Sequence, residues 1–182
     1  MASVNEGSPA TFYEWDGTNL LATLNPPNAI NDGSFYGHLL ALPTGQILLA
    51  DYSTDVELYN PSGTYDSAWA PQVTKVPTTL THGKTYTAKG IRFAGVSQGS
   101  AYGDDYQAYT NYALVRITNT SSHHVFYCKT HKPSSYALQS SAAQSTHFDV
   151  PVGIELGPSK LEVVTNGIPS AGVSVRQLSQ AS

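Results

Sequence analysis

From Gln72 onward the chain is cut into short β-prone runs by turn residues, and this punctuation limits the fold more than any other feature. Runs at 75–76, 85–90, 113–117, 125–128, 145–150, 160–165 and 173–176 draw on Val, Ile, Thr, Tyr and Phe, with Gly, Pro, Asn and Ser between them. Branched and aromatic side chains suit a pleated, half-buried surface, and runs this short cannot build an apolar helix face. Strands at such spacing predict an immunoglobulin-like β-sandwich. Composition points the same way: 12% of residues are charged while Tyr alone occurs twelve times, and helix surfaces would call for more Glu, Lys and Arg. At most one short helical turn is expected, between Tyr102 and Thr110.

The first part reads differently. Residues 1–10 are small and polar and are expected to fray. Thr11-Phe12-Tyr13-Glu14-Trp15, the turn signal Asp16-Gly17, and 20–24 predict a hairpin. Asn25-Pro26-Pro27-Asn28 then breaks the chain, and 37–42 and 46–50, joined by Pro43-Thr44-Gly45, predict a second one. The nearly continuous apolar residues over 38–50 are those of strands covered on both faces. A third short strand over 56–59 ends at Asn60-Pro61-Ser62-Gly63, and a linker follows to Pro71. The expected division is therefore residues 1–68, a few antiparallel strands, and 69–182, the sandwich. The whole chain is all-β.

Several function classes are excluded. The net charge is -4, and the basic residues are scattered, which argues against nucleic acid as a partner. One cysteine cannot form an internal disulfide. The opening MASVNEGSPATFYEW has no basic then apolar segment, so no signal peptide is expected, and no run approaches a membrane span. No nucleophile elbow, phosphate loop or dinucleotide fingerprint is present.

Chemistry-bearing side chains concentrate in Ser122-His123-His124-Val125-Phe126-Tyr127-Cys128-Lys129-Thr130-His131. On a strand, His124, Phe126 and Cys128 share one face, and His123, Val125, Tyr127, Lys129 and His131 the other. The cluster is thereby split. Zinc would need two histidines and Cys128 to converge with a further ligand such as His147 or Asp149; the alternative is a strand with exposed histidines. Asp104 and Asp105 either bind calcium through their carboxylates or brace a turn. The aromatic set Tyr13, Trp15, Tyr36, Tyr52, Tyr59, Tyr65, Trp69 and Tyr86 offers faces for sugar rings, with Trp15, Tyr36 and Trp69 as the foremost ligand-binding candidates, or else serves packing.

Phe12-Tyr13-Glu14-Trp15-Asp16-Gly17-Thr18, Pro26-Pro27-Asn28-Ala29, Leu42-Pro43-Thr44-Gly45-Gln46-Ile47-Leu48 and Asp55-Val56-Glu57-Leu58-Tyr59-Asn60-Pro61-Ser62-Gly63 resemble the last propeller blade of bacterial kelch-repeat proteins similar to galactose oxidase. Gly95 to Asp105, Thr110 to Arg116 and Val163 to Ser170 look like the immunoglobulin-like C-terminal domain of the same proteins. Known chemistry in that superfamily is copper radical oxidation. The resemblance implies a Cys-Tyr thioether, a Tyr-His pair, and a further histidine from the C-terminal domain. The last falls near His123 or His124. Where the pair is expected stand Phe35-Tyr36, with His38 out of phase, and Cys128 lies in the wrong part of the chain for the thioether. The ligand set is incomplete.

These readings lead to a non-catalytic interaction or carbohydrate-associated module with no expected cofactor, placed extracellularly or at the cell surface by the resemblance. The competing expectation is an enzyme: a new copper- or zinc-dependent site around His123 and His124, or a subunit completing a copper radical oxidase with a separate propeller chain. Blade strands without neighbouring blades would leave apolar surface uncovered. They are expected to pack on the sandwich and to support a homo-oligomer.

Overall fold

A computed structural model describes residues 2–4, 7–16, 18–97, 101–102, 106–107 and 112–179. These residues are all-β, and their helical content is three 3-10 turns at Pro27–Ile30, Ser34–Tyr36 and Ser67–Trp69.

The first part forms two three-stranded antiparallel sheets. One pairs β1 (Ala2–Val4), β2 (Thr11–Trp15) and β3 (Leu20–Ala22) in sequence order. The other pairs β4 (His38–Ala41), β5 (Ile47–Ala50) and β6 (Glu57–Tyr59). Both expected hairpins are present. A strand replaces part of the fraying expected over 1–10, because Ala2–Val4 finds backbone partners on β2 that its small side chains do not advertise. Asp16 fastens the β2–β3 connection by accepting from the N–H groups of Thr18 (2.7 Å) and Asn19 (2.6 Å).

Ala10, Phe12, Ala29 and Leu49 close a small core on which Leu39 packs. Leu39 opposes Leu49 across β4 and β5, so the neighbouring pair Leu40 and Leu48 points the other way. Leu58 is in register with Leu48, which extends that outer row across the sheet. Leu40 and Leu58 remain exposed. The two-sided cover expected for 38–50 is therefore corrected. Continuous apolar residues state what both faces would favour, but the described chain brings a packed layer to one face only.

The second part contains β7 (Gln72–Lys75), β8 (Thr79–Thr81), β9 (Thr85–Ile91), β10 (Ala101–Tyr102), β11 (Tyr106–Gln107), β12 (Leu114–Asn119), β13 (Val125–His131), β14 (Gln144–Asp149), β15 (Gly157–Thr165), β16 (Ile168–Pro169) and β17 (Val173–Leu178). β10 and β11 pair as a small ribbon, within the segment where a helical turn was allowed for. The remaining strands run in the order β7-β9-β14-β13-β12-β15-β17-β8, with β16 on β15. β13 changes layers: Val125 to Cys128 pair with β12, and Lys129 to His131 pair with β14.

The result is a sandwich with the immunoglobulin-type pairing, in which first, second, fifth and fourth strands form one layer and third, sixth and seventh the other. β8 closes the second layer by pairing parallel to β17. Strict alternation along β12 and β14 sends Val115, Ile117 and Phe148 inward, where with Leu80, Leu161 and Val163 they have no exposure. Each such side chain contributes about 1.5–3 kcal/mol through burial. On the other face of β15, Glu162 accepts from Arg116 (2.9 Å) and meets Lys160 (3.0 Å).

The two parts touch at their turns. A Cβ built on Gly167, between β15 and β16, would lie 2.8 Å from Gly45 Cα and 2.9 Å from the Leu42 carbonyl oxygen. Gly167 also has φ +75°, so glycine serves there both for backbone shape and for close approach.

Candidate functional site

The 122–131 stretch is half turn and half strand. Asn119 ends β12 and its side-chain oxygen accepts from the N–H groups of Ser121 (2.8 Å) and Ser122 (3.1 Å), which folds the connection tightly. His123 takes a positive φ of 62° in that turn. His124 Nδ1 lies 2.5 Å from Glu155 Oε1, and the Ser122 hydroxyl donates to the other oxygen of the same carboxylate. Ser122 first, then His124, holds the Glu155 carboxyl below its usual value.

Beyond the turn, alternation follows the expected faces. Phe126 and Cys128 face the core while Val125, Tyr127 and Lys129 are exposed. Burial, aided by Asp149, pushes the Cys128 thiol up to about 12, which favours the neutral thiol packed in the core over a free thiolate nucleophile. His131 Nε2 reaches Asp149 Oδ1 at 3.0 Å, and its ring lies 5.5 Å from that of His147, its cross-strand partner. Asp149 Oδ1 also accepts from the Thr85 hydroxyl (2.6 Å).

His124 and His131 therefore go to different carboxylates, Glu155 and Asp149, while His131 and His147 stand side by side. Among the described residues no group of three or more His, Cys, Asp or Glu side chains is placed to hold a metal ion. Asp104 and Asp105 lie outside the described residues.

The aromatic candidates fare unequally. Tyr36 belongs to a cluster: its ring is 4.2 Å from Phe35 and 5.9 Å, edge-on, from Tyr52. His38 joins by placing its ring 5.4 Å from Tyr52 and Nε2 3.3 Å from the Tyr52 hydroxyl. Phe35, Tyr36 and Tyr52 are all exposed. Trp15 and Trp69 are exposed too, but no ring contact among the described residues ties either to the cluster. Hairpin register carries the missing signal. His38 opposes Ala50, so residues two places further out, 36 and 52, come together at the open end. Tyr52 holds φ +66°, a conformation uncommon for a bulky side chain.

Sequence reasoning passed over two carboxylates that the fold buries in the first part. Asp51 is 7% exposed, with Oδ1 accepting from Ser53 N–H (3.0 Å). Ser53 holds its carboxyl below the usual value. Glu57 lies on β6 on the same side as Leu49, facing inward. Alternation alone would turn Val56 and Leu58 inward, whereas register with Leu49 turns Glu57 inward, where its carboxylate oxygens find no donor among the described residues.

A scan against protein-family models finds no match, and a search of curated proteins finds none.

Proposed function

We propose that this chain is a non-catalytic interaction module of carbohydrate-associated type, in which the sandwich is the scaffold and the first part makes contact. The exposed cluster of Phe35, Tyr36, His38 and Tyr52 carries the reading. Aromatic rings offer flat apolar faces beside polar tips, the combination that suits the C–H face and hydroxyl rim of a pyranose. The 3-10 turn Ser34–Tyr36 and the β4–β5 hairpin hold the rings, so little side-chain freedom is lost on binding. The partly exposed row of Leu40, Leu48 and Leu58 supports self-association as a second use of the same part. Descent from the C-terminal region of galactose-oxidase-like proteins, and an extracellular setting, rest on the sequence resemblance.

The test is titration with soluble galactan and glucan oligosaccharides, followed by shifts of the aromatic ring resonances. Saturable shifts that vanish in Tyr36→Ala and Tyr52→Ala, yet persist in Trp15→Ala and Trp69→Ala, are expected. Absence of any shift, or retention in the tyrosine variants, would refute the carbohydrate reading.

A further inference from the structure

One layer of the sandwich, formed by β7, β9, β14 and β13, turns Ala88, Thr146 and Phe148 to the core and the alternate residues to solvent. Register sets those outward side chains in rows. At one end Lys75 stands opposite Lys89, with Ser145 on the far side of Lys89. Thr87, His147 and His131 form the middle row, and Thr85, Asp149 and Lys129 the third. Lys75, Lys89 and Lys129 are all exposed, and none of them belongs to an ion pair among the described residues. The one carboxylate in these rows, Asp149 across from Lys129, is held by the Thr85 hydroxyl (2.6 Å) and by His131 Nε2 (3.0 Å).

Cations on the other layer are placed differently. Arg116 and Lys160 share Glu162, at 2.9 Å and 3.0 Å. Lys75 and Lys89 instead set like charges directly opposite each other, an arrangement that costs a sheet stability and that an anion lying between them would relieve. A chain with nine Lys and Arg residues in all and a net charge of -4 thus gathers three of its cations on one face. Lys89 and Lys129 are in register with Ser145 and Asp149 of β14, which places the two cationic ends about 14 Å apart along the strands. A small anion reaches one end only, whereas a polymer with repeated anionic groups reaches both. Hydroxyl and imidazole groups lie between. These rows contain no Phe, Tyr or Trp on which nucleic-acid bases could stack, and no apolar side chain to enter a membrane.

We propose that this outward face binds an acidic polysaccharide, with Lys75 and Lys89 holding one anionic group, Lys129 another, and Thr87, His147 and Ser145 meeting the sugar hydroxyls between them. The anionic group is a carboxylate or a sulfate, since a lysine ammonium serves either as a point charge. The inference goes beyond the aromatic-cluster reading and stands without it, because the two surfaces lie on different parts of the chain.

Calorimetric titration of the full chain at low salt with octagalacturonate, its methyl ester, a sulfated dextran of similar length and an oligothymidylate of equal charge tests this. Saturable binding of octagalacturonate or sulfated dextran is expected, with none of the ester, and the tighter of the two identifies the anionic group. Lys75→Gln, Lys89→Gln and Lys129→Gln should each weaken it by about two- to fivefold, the range of one exposed charge contact. Arg176→Gln removes the same charge from the exposed face of β17 in the other layer and should leave binding unchanged, as should Tyr36→Ala and Tyr52→Ala. All three lysines are exposed, so the variants are expected to fold, which circular dichroism checks. Binding of neither acidic glycan, equal binding of the ester or the oligothymidylate, or a loss in Arg176→Gln as large as in the lysine variants would overturn the proposal. Loss in the tyrosine variants alone would move acidic-glycan binding to the aromatic cluster and equally overturn it.

Discussion

Replacing Gly167 by alanine tests whether the two parts of the chain are held against each other. Two separate costs are expected. Alanine in the left-handed region at φ +75° costs about 1–2 kcal/mol. The new Cβ would also stand 2.8 Å from Gly45 Cα, 2.9 Å from the Leu42 carbonyl oxygen and 3.1 Å from Gly45 N. All three are backbone atoms and cannot rotate aside, so the turns must separate, which adds about 1–3 kcal/mol as overpacking. Gly83→Ala isolates the first cost, because its φ is +64° and the nearest atom to its Cβ, Val152 Cγ2, is at an ordinary 3.7 Å. Urea unfolding of both variants and the parent supplies the comparison, with circular dichroism for the whole chain. Tryptophan fluorescence reports on the first part and its junction with the sandwich, since Trp15 lies on β2 and Trp69 just before β7. Gly167→Ala is expected to lose more stability than Gly83→Ala, by that second amount. Equal losses would refute the contact between the 43–45 turn and the β15–β16 turn.

Three further outcomes are expected. Cys128, with its thiol pushed up to about 12 by burial, should resist a thiol reagent at neutral pH in the folded protein and react promptly once urea unfolds it; fast labelling under native conditions would count against the buried position. Glu162→Ala strips Arg116 and Lys160 of their shared partner and should destabilise the sandwich by about 2–3 kcal/mol in urea, more than Lys160→Ala at the exposed end of the network. Thr85 and then His131 hold the Asp149 carboxyl below its ordinary value, so its contribution is present above the unfolded-state carboxylate pKa and is lost as the pH falls through the lower folded value. Asp149→Asn should therefore flatten the acid limb of the stability–pH curve, and an unchanged limb would show that these bonds do not form.

The all-β class and the sandwich strands were legible from local chemistry. Val115, Ile117 and Phe148 alternate with polar neighbours, and alternation is a property of the chain itself, because successive side chains on any strand point to opposite faces. The same rule separated Cys128 from His131 before any coordinates. β8 escaped notice, since Thr79–Thr81 is short and polar at both ends and owes its place to parallel pairing with β17, almost a hundred positions away. The outer row of Leu40, Leu48 and Leu58 escaped for a related reason: an apolar run says that cover is favourable but not whether another layer arrives.

Sites followed the same divide. Residue types, spacing and strand faces can be read from the sequence because covalent geometry repeats along the chain. Partners cannot, because they come from register and packing between distant segments. His124 meeting Glu155, Tyr36 meeting Tyr52 across the mouth of a hairpin, and Glu57 facing inward with no donor are all decisions of the tertiary structure.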